Sequence, residues 1–253
     1  MKKLTSARTY IKAFCCAFTL AFLFATGIEN AIALSLSNSY KPLPAKPSKA
    51  KAFGFSLTQW MMMHQTWYLQ GQEPQTGSVG RVKLLPLPQQ EPTPIPPGLP
   101  VFSFAAGSLD IAINPGTPLV VPVITLNGES YVDNIVPPDE PIDLFKNSLL
   151  SADITVTLDG KTILQSPADN QKFFYGPAFF PEPIAYNPPQ FRFSDPVLGD
   201  VYAASAIWSQ GIGFVHPPLK EGKHSLHILA VNKDLGYGFD NTWHITVIAH
   251  KGK

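Results

Sequence analysis

Cysteine is almost missing from this 253-residue chain: the two present, Cys15 and Cys16, both fall in an apolar run near the start. If that run is removed on export, the mature chain has none. A disulfide framework is then excluded, and so is a thiol nucleophile. Other marks are also lacking. There is no Gly-x-Ser-x-Gly elbow, no phosphate-binding loop, no dinucleotide fingerprint and no Asn-x-Ser/Thr acceptor. The common nucleophilic and nucleotide-dependent reaction classes therefore leave no local trace. A large excess of either charge is missing too, with 19 basic and 18 acidic residues. That balance gives no footprint for nucleic acid or an anionic membrane.

What is present begins with an address. Lys2, Lys3, Arg8 and Lys12 precede the apolar run 13–28, and Ala31-Ile32-Ala33 supplies a small-x-small cleavage pattern. Residues 1–33 are expected to be a signal peptide cut after Ala33, leaving an exported product, periplasmic or extracellular. No cysteine stands at the cleavage point for lipid attachment, and the run is short for a membrane span. Without the leader's four basic residues and one acid, 15 basic and 17 acidic residues remain, a net of −2.

Proline is abundant, 26 residues in all. With 11% aromatic residues, this points to short strands joined by stiff loops rather than to disorder. Residues 34–55 are read as a flexible tether. Residues 56–106 are read as a helix and a Pro-rich connector. Ser56 with Gln59 makes a capping box. Leu57, Trp60/Met61, His64 and Trp67/Tyr68 then recur at helical spacing before Gly71. Such a stripe is core packing before it is a ligand site. Seven prolines between 86 and 100 exclude a central strand there.

Residues 107–253 read as a β-domain. Leu109, Ile111 and Ile113 alternate with polar or small residues, and Asn114–Pro118 turns the chain. Leu119–Leu126 is an apolar strand that Pro122 places at an edge or a bulge. Asn127-Gly128 reads as a turn, 133–143 as an acidic loop, and Ile142–Leu150 as a helical turn or two. Asp159-Gly160 supplies the two positive-φ positions of a type I′ hairpin between Asp153–Leu158 and 161–164. The aromatic stretch 173–193, broken by prolines, reads as irregular chain over a core. Val201–Val215 reads as a strand interrupted at Gly211 and Gly213. Gly222–Val231 and Thr242–Ile248 alternate as strands around a loop at 232–241.

The run Gly211-Ile-Gly-Phe-Val-His-Pro-Pro-Leu219, with Gly222-x-His224-x-Leu226 and Thr242-Trp-His-Ile-Thr-Val247, resembles a group of exported bacterial proteins of unknown function. Asn114–Pro118, Asp159-Gly160 and Phe179-Phe180-x-Glu182-Pro183-Ile184 fit the same pattern, so the likeness covers about 107–250. It implies a β-sandwich, since Gly-x-His-x-Leu also opens the closing strand of many immunoglobulin-like domains. It implies no catalytic residue. The expected fold is mainly β, an immunoglobulin-like or jelly-roll sandwich with a short N-terminal helix and a Pro-rich connector.

Candidate chemistry is sparse. His224 and His227 are three apart, so a strand points them to opposite faces. His227 and His244 share a face but lack a third ligand for zinc, and no metal or cofactor is expected. Asp133, Asp139, Glu140 and Asp143 offer oxygen ligands that would suit calcium, but not in an EF-hand pattern, and a solvated acidic loop is the plainer reading. Glu182, Asp195 and Asp200 are the carboxylates a glycosidase would draw on, with nothing to pair them. Tyr175, Tyr186, Phe191, Tyr202 and Trp208 could form a sugar-stacking platform, although a disulfide-free core needs large side chains first. His216, ahead of Pro217-Pro218, is a rigid strand exit before it is a ligand contact. The expectation is an exported, non-catalytic binding or structural domain. Its partner would be carbohydrate or another envelope component, and the alternative is a secreted hydrolase acting on polysaccharide.

Overall fold

A computed structural model describes residues 51–71 and 77–248. The expected signal peptide, its cleavage site and most of the tether lie outside the described residues. The chain is mainly β, with two sheets facing each other across one core. The strands are β1 (Ser78–Val79), β2 (Val82–Leu84), β3 (Glu91–Pro92), β4 (Ser103–Ile113), β5 (Leu119–Tyr131), β6 (Asp153–Leu158), β7 (Lys161–Gln165), β8 (Phe174–Asp195), β9 (Gly199–His216), β10 (Gly222–Asn232) and β11 (Tyr237–Val247). The helices are α1 (Leu57–Leu69), α2 (Asp143–Ser151) and the single turn α3 (Asn170–Phe173). One sheet runs β1-β2-β5-β9-β8 and the other β3-β4-β11-β10-β6-β7. Pairing is antiparallel except for β2 with β5 and β4 with β11, which are parallel. Among the described residues, no helix is long and apolar enough to cross a membrane.

Alternation builds the core. Ile111 and Ile113 on β4, Leu226 and Ile228 on β10, and Trp243 and Ile245 on β11 meet Val121, Leu126, Ile212 and Phe214 from the opposing sheet. The outer face of the five-stranded sheet is covered by α1, whose Leu57, Trp60 and Met61 pack on Val82, Val120, Tyr175 and Val215. The capping box forms as the sequence predicts: Ser56 Oγ accepts from Gln59 N at 3.2 Å, and Gln59 Oε1 accepts from Ser56 N at 2.9 Å. The Asp159-Gly160 hairpin also forms, with φ of 51° and 72°. Pro122 sits at a bulge in β5, where the register slips between Pro122 and Ile124.

Four expectations are corrected. Asn127-Gly128 is not a turn, because β5 runs through it to Tyr131; the glycine is required because any Cβ there would overlap the Trp208 indole across the pair. The stretch 173–193 is not irregular, for most of it lies in the 22-residue edge strand β8. Its prolines at 177, 181, 183, 188 and 189 fall between the paired positions, at three of the four register shifts, so no ladder bond is lost to them. The same prolines blunt a long exposed edge against further strand pairing. β9 is not interrupted at Gly211 and Gly213. These glycines instead admit close approach, of Tyr175 at one and of Met61 from α1 at the other. The loop at 232–241 shrinks to 233–236, since β10 and β11 extend into it.

The segments outside the sandwich strands are tied down as well. Residue 107 lies inside β4, and residues 56–106 contribute α1 and β1–β3 to the sheets. The described end of the tether is packed: Ala52 is buried and its carbonyl accepts from Trp60 Nε1 at 2.7 Å. The Pro-rich connector is held by Trp243 Nε1, which donates to Pro86 O at 2.7 Å. Replacing Trp243 with Phe keeps most of the apolar ring and deletes only this donor, leaving a buried carbonyl unpaired. Urea unfolding is expected to show a loss of about 1–3 kcal/mol; a loss near zero would mean that the connector is not docked.

Candidate functional site

The chemistry-bearing side chains gather where β5, β8 and β9 bulge together. Glu129 and Tyr131 close β5, Tyr186 and Arg192 project from β8, Trp208 comes from β9, and Asp139 turns in from the loop ahead of α2. Bulges between Gly128 and Glu129 and between Ser130 and Tyr131 re-aim these β5 side chains. Glu129 and Arg192 form a buried, bidentate ion pair: Nε donates to Oε2 at 2.5 Å, and a terminal guanidinium nitrogen donates to Oε1. Tyr186 Oη donates to Oε1 at 2.9 Å, and the guanidinium lies over the Tyr186 ring, 5.7 Å from its centroid. Gln190 Oε1 accepts a further guanidinium bond at 2.8 Å.

Asp139 is the second carboxylate. Its Oδ2 accepts from Glu129 N at 3.0 Å and its Oδ1 from Tyr131 Oη at 3.0 Å. Its backbone N–H donates to Glu129 O at 2.8 Å, and its carbonyl accepts from Trp208 Nε1 at 2.8 Å. Burial pushes its carboxyl up to about 6, and the Glu129 charge adds to that, against the bonds from Glu129 N and Tyr131 Oη. Tyr131 and Tyr186 are raised well above the usual phenol range, first by burial and then by the neighbouring carboxylates. Both hydroxyls therefore stay protonated donors.

The structure separates the candidate residues. Trp208 is fully buried, and Tyr186 joins the same cluster. Tyr175 is buried under α1, with its hydroxyl between Thr125 Oγ1 at 3.0 Å and Ser209 Oγ at 3.3 Å. Burial pushes it to about 12. Tyr202 lies elsewhere, 39% exposed, in an edge-to-face contact with half-exposed Phe191. His216 is buried at the opposite end of β9, its Nδ1 2.6 Å from Pro217 O. Burial lowers its pKa, and its Nε2 has no hydrogen-bond partner among the described residues. It lines a gap of about 10 Å³ walled by Leu119, Phe214 and Leu226, which is too apolar to hold a water well.

The other titratable groups serve turns. His224 binds Asp159 Oδ2 at 2.7 Å and Lys220 O at 2.8 Å, tying the β6–β7 turn to the β9–β10 loop. His227 binds Asp240 at 2.6 Å. Asp195 Oδ1 accepts from Val197 N and Leu198 N, Asp200 bonds Ser194, and Glu182 is exposed. In the acidic loop, Asp133, Glu140 and Asp143 face solvent while Asp139 alone turns inward. Among the described residues, no three His, Cys, Asp or Glu side chains converge as metal ligands.

Sequence reasoning missed Glu129 and Arg192. The usable signal was a Glu three positions after the apolar run Leu119–Leu126, and an Arg flanked by Phe191 and Phe193. No protein-family model and no curated protein matches this chain.

The pair's energetics can be tested directly. Arg192→Met strands a buried carboxylate and is expected to cost about 3–5 kcal/mol in urea unfolding, while adding Glu129→Leu should recover most of that loss. A cost below about 1 kcal/mol for the single variant would mean that solvent screens the pair.

Proposed function

We propose that this chain is an exported, non-catalytic binding protein of the cell envelope, periplasmic or extracellular, whose contact surface is the outer end of the β8–β9 ribbon. The observation that carries this reading is the split among the aromatics: Trp208, Tyr175 and Tyr186 are core, while Phe179, Phe191 and Tyr202 are exposed on one ribbon with Val197 and Leu198. β5 last pairs with β9 at Ala203, so residues 191–202 find backbone ladder partners only in each other, while Val201 stays buried and the Arg192 side chain turns back to Glu129. Val197 is 88% exposed, on a turn that Asp195 fixes through two backbone bonds. A rigid apolar tip with aromatic flanks suits a partner surface, because little ordering entropy is lost on contact. The exposed rings also suit the C–H faces of a polysaccharide. The leader pattern and the resemblance to exported bacterial proteins support the address.

The hydrolase reading is favoured by one observation, a Glu129–Asp139 carboxylate pair with Asp139 raised to about 6, where a general acid operates. Against it, Arg192 engages Glu129, and Trp208 is covered rather than lining a groove.

Residues 34–253 presented to glycan arrays and to envelope polysaccharides are expected to bind without releasing sugar. The double variant Phe191→Ala/Tyr202→Ala should weaken binding about tenfold or more, with stability within about 0.5–1 kcal/mol of wild type. Silence on every glycan would remove carbohydrate as the partner. Sugar release that disappears in Asp139→Asn would replace binding with hydrolysis.

A further inference from the structure

The loop between β5 and α2 is hydrogen-bonded to the sheet at one residue, with Val136 buried beside it. Among the described residues, every hydrogen bond that ties 132–142 to the sheet passes through Asp139: its N–H and both carboxylate oxygens to Glu129 and Tyr131, and its carbonyl to Trp208 Nε1. The loop closes over an indole that is fully buried, wedged against Gly128 and against the Phe145 ring of α2 at 6.2 Å.

The charges around this anchor do not balance. β5 presents the Glu129 carboxylate and the neutral Tyr131 hydroxyl. β8 presents the Arg192 guanidinium and the neutral Tyr186 hydroxyl, β9 presents only the Trp208 N–H, and α2 reaches the indole through Phe145. Arg192 spends both of its carboxylate bonds on Glu129. Two carboxylates and one guanidinium then leave one buried negative charge, and Asp139 carries it with direct hydrogen bonds from dipoles and only the more distant Arg192 charge. Four histidines are bonded elsewhere: His64 to Leu85, His216 to Pro217, His224 to Asp159 and Lys220, and His227 to Asp240.

We infer that residues 132–142 form a proton-operated latch over Trp208: uptake of one proton by the Glu129–Asp139–Arg192 cluster holds the loop down, and loss of that proton loosens it and opens a path to the indole. The proton resides on one Asp139 oxygen. The other oxygen still accepts from Glu129 N–H, while the new O–H turns to the Tyr131 hydroxyl oxygen. All four contacts survive, and the buried net charge falls from −1 to zero. The sign follows from linkage. The closed loop holds its proton up to about 6, whereas an opened, solvated Asp139 has the ordinary value near 3.8. Closure is therefore favoured as pH falls from about 6 toward 4 and weakened as pH rises through 6.

Hydrogen exchange of the full chain, followed by mass spectrometry and corrected for intrinsic rates, tests this. Protection of peptides covering 132–142 is expected to rise about tenfold between pH 7.5 and 5.0, with the rise setting in near 6 and continuing toward 4. In Asp139→Asn the same peptides should show no pH dependence. In Glu129→Gln the onset of the rise should move to lower pH, because a like charge is removed. If the Asn variant does not fold, carboxyl carbon-13 NMR of the wild type decides: one Asp side chain should titrate near 6, and the loop amide shifts should follow it. Loop protection that is flat with pH in the wild type, or a pH dependence that survives in Asp139→Asn, overturns the latch.

Discussion

Three buried indoles do in this protein what cross-links do in many small exported domains. Trp60, Trp208 and Trp243 each have their rings in apolar packing and their N–H on a backbone carbonyl of an irregular segment: Ala52 in the lead-in, Asp139 in the acidic loop, Pro86 in the Pro-rich connector. Each ring contributes the large burial that a core without disulfides requires. Each N–H, satisfied outside its own helix or strand, fixes chain that has few backbone partners of its own. Loops that prolines prevent from joining a sheet are thereby bound to the interior.

The same constraint explains why the aromatics misled as site markers. A platform for sugar and a core for a cysteine-free sandwich draw on the same residue types, and the primary structure does not say which face a ring takes. Tyr175 and Trp208 went to the core, while Phe191 and Tyr202 went to a ribbon that outruns its neighbouring strand. Only the lengths of the strands relative to one another decide that, and they are a property of the whole sheet.

Local chemistry was legible where it was self-sufficient. The Ser56–Gln59 box and the Asp159-Gly160 turn depend on residues within a few positions of each other, and both form. What was not legible depended on distant partners. Gly128 reads as a turn residue until Trp208, 80 positions later, is seen to occupy its side-chain space. The prolines of β8 read as breakers until the register with β9 places them between the paired positions. Glu129 and Arg192 are 63 positions apart, and only the bulges of three adjacent strands bring them together. The candidate site is built almost entirely from such long-range coincidences, whereas the fold class followed from periodicity and turn chemistry near at hand.

The central claim, that indole-to-carbonyl bonds hold the irregular segments to the core, is tested most directly by exchange of the tryptophan side-chain N–H protons in ¹⁵N-resolved NMR at pH 5. The Nε1 protons of Trp60 and Trp243 are predicted to exchange as slowly as the backbone amides of β9 and β10, opening only with global unfolding, and that of Trp208 as slowly as the closed 132–142 loop. Exchange of all three within seconds, while those amides stay protected, would contradict it.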